Sequence, residues 1–349
     1  MAEMYRNIAY ELESALRQMR LKGMMRLPTE DELCRRYSCS RQTVRAALDL
    51  LVQKGLIVKK RGSGSYISDK ITASVCNVIL IVEDEYEYIY PDLISSLRSS
   101  LKKKGYDLRC ISTKGSYEKE RDALKEVLAS SPAAVIIEPI SDILPNPNMP
   151  LTDKIRIKEI PVIYLYASYP SPDGSICIRE DNASGSDMLV SYLKENGHPV
   201  ISSIFRCDDS RGLERYRGFV DALHKYGLPF DQDRSFFYTG SDRKKLLSGN
   251  DDFLRRTVEG MAPDVSAVIT QNDEIAFRLL KVLQKSGRSG ISVASFDNSY
   301  FASGPASISS LGHSSRDLIT AASDAVTAAV DHRSFTPPPV RWHLHARNG

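Results

Sequence analysis

The sequence lacks any run of about 18 apolar residues, the length that a membrane-spanning helix needs. Its first residues, MAEMYRNIAYELESALRQ, carry charges throughout and lack the apolar core of a signal peptide. The six cysteines are scattered and form no C-x-x-C pair. We therefore expect no membrane span, no disulfide framework, and a cytoplasmic protein whose thiols are reduced.

The common signatures of catalysis are also missing. The chain contains no G-x-S-x-G, no Walker A sequence and no H-E-x-x-H. His343 and His345 alternate near the end of the chain, which favours a plain strand end over a metal-binding pair. We predict a protein that is not an enzyme and that has no metal site and no cofactor.

Charge is distributed unevenly along the 349 residues. Residues 1–70 carry 14 Lys and Arg against 8 Asp and Glu, whereas the remainder has a net charge of −3. The length is sufficient for two or three domains with ordinary cores. A small basic module on a larger acidic body suggests a nucleic-acid-binding head on a regulatory or catalytic domain.

The head has the pattern of three helices. Apolar residues from Ile8 to Met19 recur at helical spacing, and Pro28 ends this first segment. Thr29 and Glu32 fit a capping box at the start of a second helix that reaches about Tyr37. Ser40 caps a third, which ends before Gly55. The last two, joined at Ser38-Cys39, predict a helix-turn-helix.

Polar side chains begin the third helix, where a recognition helix meets base edges and phosphates in the major groove. Two short β-type runs follow, around the basic and glycine-containing tip Lys59–Gly64. The motifs LPTEDEL, SRQTVRAAL and RGSGSYI resemble the GntR-type winged helix-turn-helix. The resemblance implies DNA contacts by Ser40, Arg41, Gln42, Thr43, Arg45, Arg61 and Gly62.

The body, residues 75–349, alternates apolar strands with helices. Strands at 76–82, 107–112, 134–138 and 161–166 precede a second series at 200–205, 236–239, 267–270 and 291–296. Nearly all-apolar strands favour parallel sheets that are buried on both faces. We predict an α/β protein with two doubly wound halves, in which Lys244–Val258 forms one helix and a late helix lies near Ser315–Asp331.

Polar residues follow most of these strands, and ligands bind at the carboxyl ends of strands in such sheets. Carboxylates, amides and tyrosines suit the vicinal hydroxyls and apolar face of a sugar better than they suit a phosphate. Any single Asp or Asn among these residues could cap a helix instead of binding a ligand. We assign this capping role to Asp273, which precedes a helix that begins at residue 274.

The segments EDNASG, RYRGFVDAL, ITQNDEIAF and ISVASFDNS resemble the effector domain of LacI/GalR regulators, which is related to periplasmic sugar-binding proteins. The resemblance implies ligand contacts by Arg215, Asn272 and Asp297, with Arg215 forked onto two hydroxyls. Many LacI-type proteins carry an aspartate where this chain has Tyr166. The resemblance to LacI/GalR effector domains also implies two lobes. The first contains residues about 75–166 and 300–332, and the second contains residues about 167–299 and 333–349.

A GntR head on a LacI-type body is the architecture of the AraR-type arabinose repressor family, which this chain resembles over nearly its full length. That resemblance implies a dimer that binds operator DNA and is released by L-arabinose, with Tyr88, Glu138 and Asn272 in the pocket. We also expect Tyr166, at the end of the strand 161–166, to contact the ligand. Another pentose, a hexose or a nucleoside as effector, an activator, and an enzyme with a DNA-binding head remain as alternatives.

Overall fold

A computed structural model of the chain describes residues 2–21, 24–68, 77–86, 88–170, 175–304 and 307–347. The predicted boundary between head and body, at residues 70–75, and the predicted start of a strand at Cys76 lie outside these residues. The described residues of the head form five elements: α1 (Ala2–Leu21), α2 (Glu30–Tyr37), α3 (Arg41–Gln53), β1 (Ile57–Lys60) and β2 (Gly64–Ile67).

The helix-turn-helix forms as the sequence predicts. The side chain of Thr29 accepts a hydrogen bond from the Glu32 amide, and Glu32 reaches back to the Thr29 amide, which completes the capping box. Ser38 ends α2 in the left-handed region, at φ 48°, and Ser40 caps α3. The buried faces of the three helices form one apolar core that includes Ile8, Leu12, Leu33, Leu48 and Leu51.

The wing is an antiparallel hairpin in which Ile57 pairs with Ile67 and Lys60 pairs with Gly64. Its strands extend further than the sequence indicates, so only residues 61–63 form the tip. Gly62 lies there at φ 74°, a conformation that glycine adopts without a steric penalty.

The first lobe of the body has a five-stranded sheet in the order β4-β3-β5-β6-β7, with all strands parallel. Its elements are β3 (Asn77–Val82), α4 (Tyr90–Lys103), β4 (Asp107–Ser112), α5 (Tyr117–Ser130), β5 (Ala134–Ile137), α6 (Met149–Ile157), β6 (Val162–Leu165) and β7 (Ile176–Ile178). Helices cover both faces, which explains why strands such as Ala134–Ile137 are apolar throughout.

The second lobe has a six-stranded sheet in the order β13-β12-β11-β10-β8-β9, in which only β13 is antiparallel. Its elements are α7 (Asn182–Glu195), β8 (Ile201–Arg206), α8 (Ser210–Lys225), a 3₁₀ turn (Gln232–Arg234), β9 (Ser235–Tyr238), α9 (Gly240–Leu247), α10 (Asp252–Gly260), β10 (Ala267–Thr270), α11 (Asp273–Lys285), β11 (Ser292–Phe296), α12 (Tyr300–Ser303), β12 (Ser309–His313) and β13 (Trp342–His345). His343 and His345 thus lie on a strand.

Strand pairing corrects the predicted lobe boundaries in two places. β7 lies in the first sheet, although the prediction placed residues after 166 in the second lobe. β12 pairs with β11 in the second sheet, although residues 300–332 were predicted for the first. From that segment, α13 (Ser315–Val330) packs on the first lobe. β7 has only three residues, and β12 is rich in serine and contains glycine, so neither forms the longer apolar run that predicts a strand.

The chain crosses between the lobes at three neighbouring places. It passes from β7 to α7, from β12 to α13, and from α13 to β13. At these crossings Glu180 forms a bridge with Val340, and the Nε2 atom of His313 lies 3.5 Å from a carboxylate oxygen of Glu180.

One helix predicted at Lys244–Val258 is two helices in the structure, α9 and α10. Gly249 adopts φ 90° between them, and the side chain of Asn250 accepts a hydrogen bond from the Asp252 amide. Residues 149–157, for which no element was predicted, form α6. Within the described residues, no helix is long and apolar enough to span a membrane.

Close packing of α7 on α8 gives a stability test at Gly218. A Cβ atom there would lie 2.7 Å from the Ala183 backbone. We expect Gly218→Ala to destabilise the fold, because overpacking costs about 1–3 kcal/mol and outweighs a helix-propensity gain of up to about 1 kcal/mol. Urea unfolding measures this, with Gly290→Ala as the control because its Cβ would meet nothing within 4 Å. An unchanged midpoint for Gly218→Ala would contradict this packing.

Candidate functional site

The carboxyl ends of the two parallel sheets face each other across a cleft. Side chains that follow β3, β6 and β7 line it from the first lobe, and side chains at or after β8, β10 and β11 line it from the second. The empty space between these side chains, counted together with open solvent at its mouth, is about 560 Å³. Five of the six residues predicted to bind ligand line this cavity: Tyr88, Tyr166, Arg215, Asn272 and Asp297.

The sixth, Glu138, lies buried beside the cavity. Both of its carboxylate oxygens accept from the Tyr90 hydroxyl at 2.8 Å, and the Glu83 amide donates to one of them at 3.3 Å. Burial raises the pKa of Glu138, while the guanidinium of Arg211, 3.6 Å away, opposes that rise.

Three residues of the cavity have a strained backbone. Tyr88, Tyr166 and Asp297 adopt φ values of 60°, 68° and 96°, a region in which residues other than glycine are uncommon. Such conformations cost about 1–3 kcal/mol each and concentrate at binding sites. These three residues come from both sides of the cleft, so strained backbone lies where we predict the ligand to bind.

Tyr166 has a buried hydroxyl that no group hydrogen-bonds among the residues that the structure describes. Its ring lies 5.2 Å from the guanidinium carbon of Arg211. An unsatisfied buried hydroxyl costs about 1–3 kcal/mol, so a ligand that bonds to it would recover that free energy.

Arg215 is held more tightly than the sequence suggests. Its Nε donates to Asn182 at 2.9 Å, and its terminal nitrogens donate to Glu180 and to the carbonyl of Gln271. The guanidinium also lies over the Phe296 ring at 4.1 Å. At most two of its five N–H groups remain for a ligand, so the predicted fork onto two hydroxyls is restricted.

The predicted capping role of Asp273 is wrong. The side chain of Asn272 caps α11 by accepting from the Ile275 amide at 3.2 Å. The buried Asp273 carboxylate instead accepts from the hydroxyls of Ser295, Ser299 and Ser310 and from the Ser299 amide. Burial, and then the charge of Asp297, raise the pKa of Asp273 to about 6. Because the side-chain oxygen of Asn272 is used in this cap, its side-chain nitrogen is the group that could donate a hydrogen bond to a ligand.

Sequence reasoning missed three charged residues of the cavity. Glu180 follows β7, a strand that the sequence did not reveal. Arg211 opens α8 and donates to Asp209 through its Nε at 3.2 Å and a terminal nitrogen at 2.8 Å. Arg243 comes from α9, whose beginning was misplaced.

Burial alone would raise the pKa of Asp209, but Arg211 and then Arg206 outweigh it and hold that pKa well below its usual range.

Direct bonds between the lobes hold the cleft closed. The Tyr88 hydroxyl donates to Asp297 at 2.7 Å, and Arg243 forms an ion pair with Glu83. At the rim the Ser141 hydroxyl donates to the Asp208 carbonyl at 2.7 Å. Tyr88 therefore occupies one oxygen of the carboxylate that we predict to bind ligand.

The head exposes the residues predicted to contact DNA. Arg41 and Arg45 lie on the first turns of α3 and pair with Asp31 and Glu30 of α2, at 2.6 and 2.8 Å. Exposed pairs of this kind contribute little free energy, so the arginines are available to phosphates and bases. Gln42, Arg61 and Gly62 are exposed, whereas Thr43 is half-buried and bonds to Ser40.

Residues 75–328 match the family described as periplasmic binding proteins and sugar binding domain of the LacI family. The chain belongs to this family. Residues 4–67 match the bacterial regulatory proteins of the gntR family, which agrees with the winged helix-turn-helix of the head. This member of the LacI sugar-binding family thus carries a GntR-type head.

Two relatives are named arabinose metabolism transcriptional repressor. The protein of Geobacillus stearothermophilus is 28% identical over 338 residues, which cover 95% of this chain and 92% of the relative. That of Halalkalibacterium halodurans is 29% identical over 286 residues, which cover 79% and 75%. Both are regulators of transcription, in agreement with the prediction that this chain is not an enzyme.

Solved structures show the same fold. A periplasmic binding protein/LacI transcriptional regulator from Alkaliphilus metalliredigens, complexed with D-xylulofuranose, superposes with a TM-score of 0.63 at 20% identity and covers 78% of this chain and 98% of its own. The regulator CelR in complex with cellobiose gives 0.66 at 19% identity, and covers 88% and 91%.

The Tyr88–Asp297 bond can be tested by its effect on closure. Tyr88→Phe keeps the ring but removes a hydrogen bond to a charged group, which stabilises by about 1.5–3 kcal/mol. We expect the sugar-free variant to be more open, with a larger radius of gyration in small-angle X-ray scattering. Tyr86→Phe is the matched control, because Tyr86 is 77% exposed and its contact with Lys114 involves the ring. Equal radii for both variants would show that this bond does not hold the lobes together.

Proposed function

We propose that this chain is a sugar-responsive transcriptional repressor that binds operator DNA as a dimer and releases it when L-arabinose or a related sugar occupies the cleft. The observation that carries the proposal is the buried Tyr166 hydroxyl, which has no hydrogen-bond partner in the described part of the chain and lies in a cavity that also contains carboxylate acceptors and strained residues. The DNA-binding head and the two relatives support the regulatory part.

Each predicted pocket residue has a role in this proposal. Asp297 accepts from sugar hydroxyls, Glu138 accepts from the adjoining side, and Tyr166 and Asn272 supply donors. Arg215 holds Glu180 in place and directs its remaining N–H groups to the sugar. Tyr88 gives up its bond to Asp297 when a sugar hydroxyl replaces it.

Release from DNA follows if the sugar binds one arrangement of the two lobes more tightly than another. A sugar that bonds to both lobes favours one relative orientation of the lobes over the others. In a dimer, that orientation sets the distance between the two heads, which must match two half-sites on DNA. The coupling between sugar and DNA in such systems is about 1–3 kcal/mol.

Calorimetric titration with L-arabinose, D-xylose, D-galactose and ribose tests the effector. The protein is then assayed on a duplex that it selects from a random-sequence library. We expect selective binding of L-arabinose and release of the duplex. If the protein responds only to another sugar, the repressor function stands and L-arabinose is not the effector. If sugar strengthens DNA binding, the proposal that sugar releases the DNA is wrong.

The pocket is tested by Asp297→Asn, because asparagine tolerates a positive φ while it removes the negative charge. Loss of a charged hydrogen bond of about 1.5–3 kcal/mol predicts roughly 10- to 150-fold weaker sugar binding, with DNA binding retained. Asp221→Asn is the control, since Asp221 is exposed on α8 and pairs only weakly with Arg217, at 3.8 Å. Release of the Asp297→Asn variant at the wild-type sugar dose would place the sugar elsewhere.

The DNA interface is tested by Arg45→Ala. Loss of a base contact of about 1–3 kcal/mol predicts roughly 5- to 150-fold weaker binding to the selected duplex, with sugar binding unchanged. Arg217→Ala, an exposed arginine of the body, is the control. Equal affinities of the two variants would exclude Arg45 from the interface.

A further inference from the structure

Two cysteines flank the turn of the helix-turn-helix. Cys34 lies on α2, and Cys39 directly precedes Ser40, the residue that caps α3. Neither residue has a role in the DNA contacts or in the sugar site described above. Both are half-buried and pack at the edge of the apolar core of the head.

The turn brings the two residues together. The amide of Cys39 donates to the carbonyl of Cys34 at 3.2 Å, and Ser38 lies between them in the left-handed region. This is the 6→1 bond that ends many helices, and a contact between the side chains at its two ends often accompanies it. Standard bond lengths then limit the separation of the two Cα atoms to about 7 Å, the upper end of the disulfide range.

The pKa of Cys39 and the positions of the other cysteines also set Cys34 and Cys39 apart as a pair. Burial, and then the neighbouring Cys34, raise the pKa of Cys39, which is consistent with the proximity that the backbone bond imposes. The other cysteines of the described residues lie elsewhere: Cys110 on β4, Cys177 on β7 and Cys207 after β8. Cys34 and Cys39 are thus neighbours both along the chain and in space.

We propose that Cys34 and Cys39 form a dithiol site that hydrogen peroxide converts to a disulfide. One thiolate attacks the peroxide, a sulfur–oxygen bond forms, the oxygen–oxygen bond breaks, and water leaves after proton transfer. The second thiolate attacks the resulting sulfenic acid, the sulfur–sulfur bond forms, and hydroxide leaves and takes a proton to become water. Two thiols lose two electrons, and hydrogen peroxide is reduced to two waters.

The disulfide changes the part of the head that precedes α3. A bond of about 2.05 Å between the sulfurs requires the thiols to leave their packing positions and draws Cys39 toward α2. Ser40 is the next residue, and its side chain sets the first turn of α3 by accepting from the Thr43 amide at 3.2 Å. The displacement therefore reaches Arg41 and Gln42, and DNA binding weakens; this consequence rests on the proposed function.

Peptide mapping tests the disulfide without reference to DNA. The full-length protein is treated with hydrogen peroxide, alkylated and digested with trypsin without reductant. Trypsin cleaves at Arg35 and Arg36, between the cysteines, so a disulfide joins two peptides that are otherwise separate. We expect this joined pair in the wild type and in the control Cys110→Ser, and its absence in Cys39→Ala. Alkylation of both thiols after peroxide treatment would overturn the site.

Retention on the selected duplex tests the consequence. We expect peroxide to lower the affinity of the wild type by about 10-fold or more, with recovery in dithiothreitol, and to leave the affinity of Cys39→Ala unchanged. A joined pair with unchanged affinity would overturn the effect on DNA binding. If the reduced protein selects no duplex, the proposed function fails, and the peptide map still decides the dithiol site.

Discussion

Opposite charges buried between the two lobes must neutralise each other, and the structure of the cleft depends on this requirement. Leaving an ion buried without a partner costs several kcal/mol. Asp209 is accordingly held by Arg211 and Arg206, Glu180 by Arg215, and Glu83 by Arg243. Because these ions are already paired, a neutral polyol can enter by exchanging hydrogen bonds, whereas a charged ligand would upset the balance.

The neutral groups of the cavity are less well satisfied than its ions. Tyr166 keeps a strained backbone and a hydroxyl without a partner among the described residues, and Tyr88 uses its own strained position to bond with Asp297. The closed cleft thus combines stable ion pairs with polar groups that could form better hydrogen bonds with a ligand than they form now. This division of roles is consistent with a site that distinguishes neutral sugars by their hydroxyl positions.

Much of the fold could be predicted because its signals are local. The capping box at Thr29, the N-cap at Ser40 and apolar strands such as Ala134–Ile137 follow from short-range chemistry. β7 and β12 could not be predicted, because β7 has only three residues and β12 mixes serine, glycine and histidine with a single leucine, so each becomes a strand only through pairing with a neighbour. The same limit concealed Glu180, and the ion pairs of Arg211 and Arg243 depend on contacts between residues distant in sequence.

The three crossings between the lobes also limit how the protein can move. Glu180, Val340 and His313 bring these crossings close together, so the lobes are joined along a narrow line rather than at one flexible point. Two rigid bodies joined in this way lose sliding and twisting freedom and retain chiefly a rotation about that line. Any opening of the cleft would then follow one arc, and a small change of angle at the crossings would become a larger displacement at the far end of the first lobe.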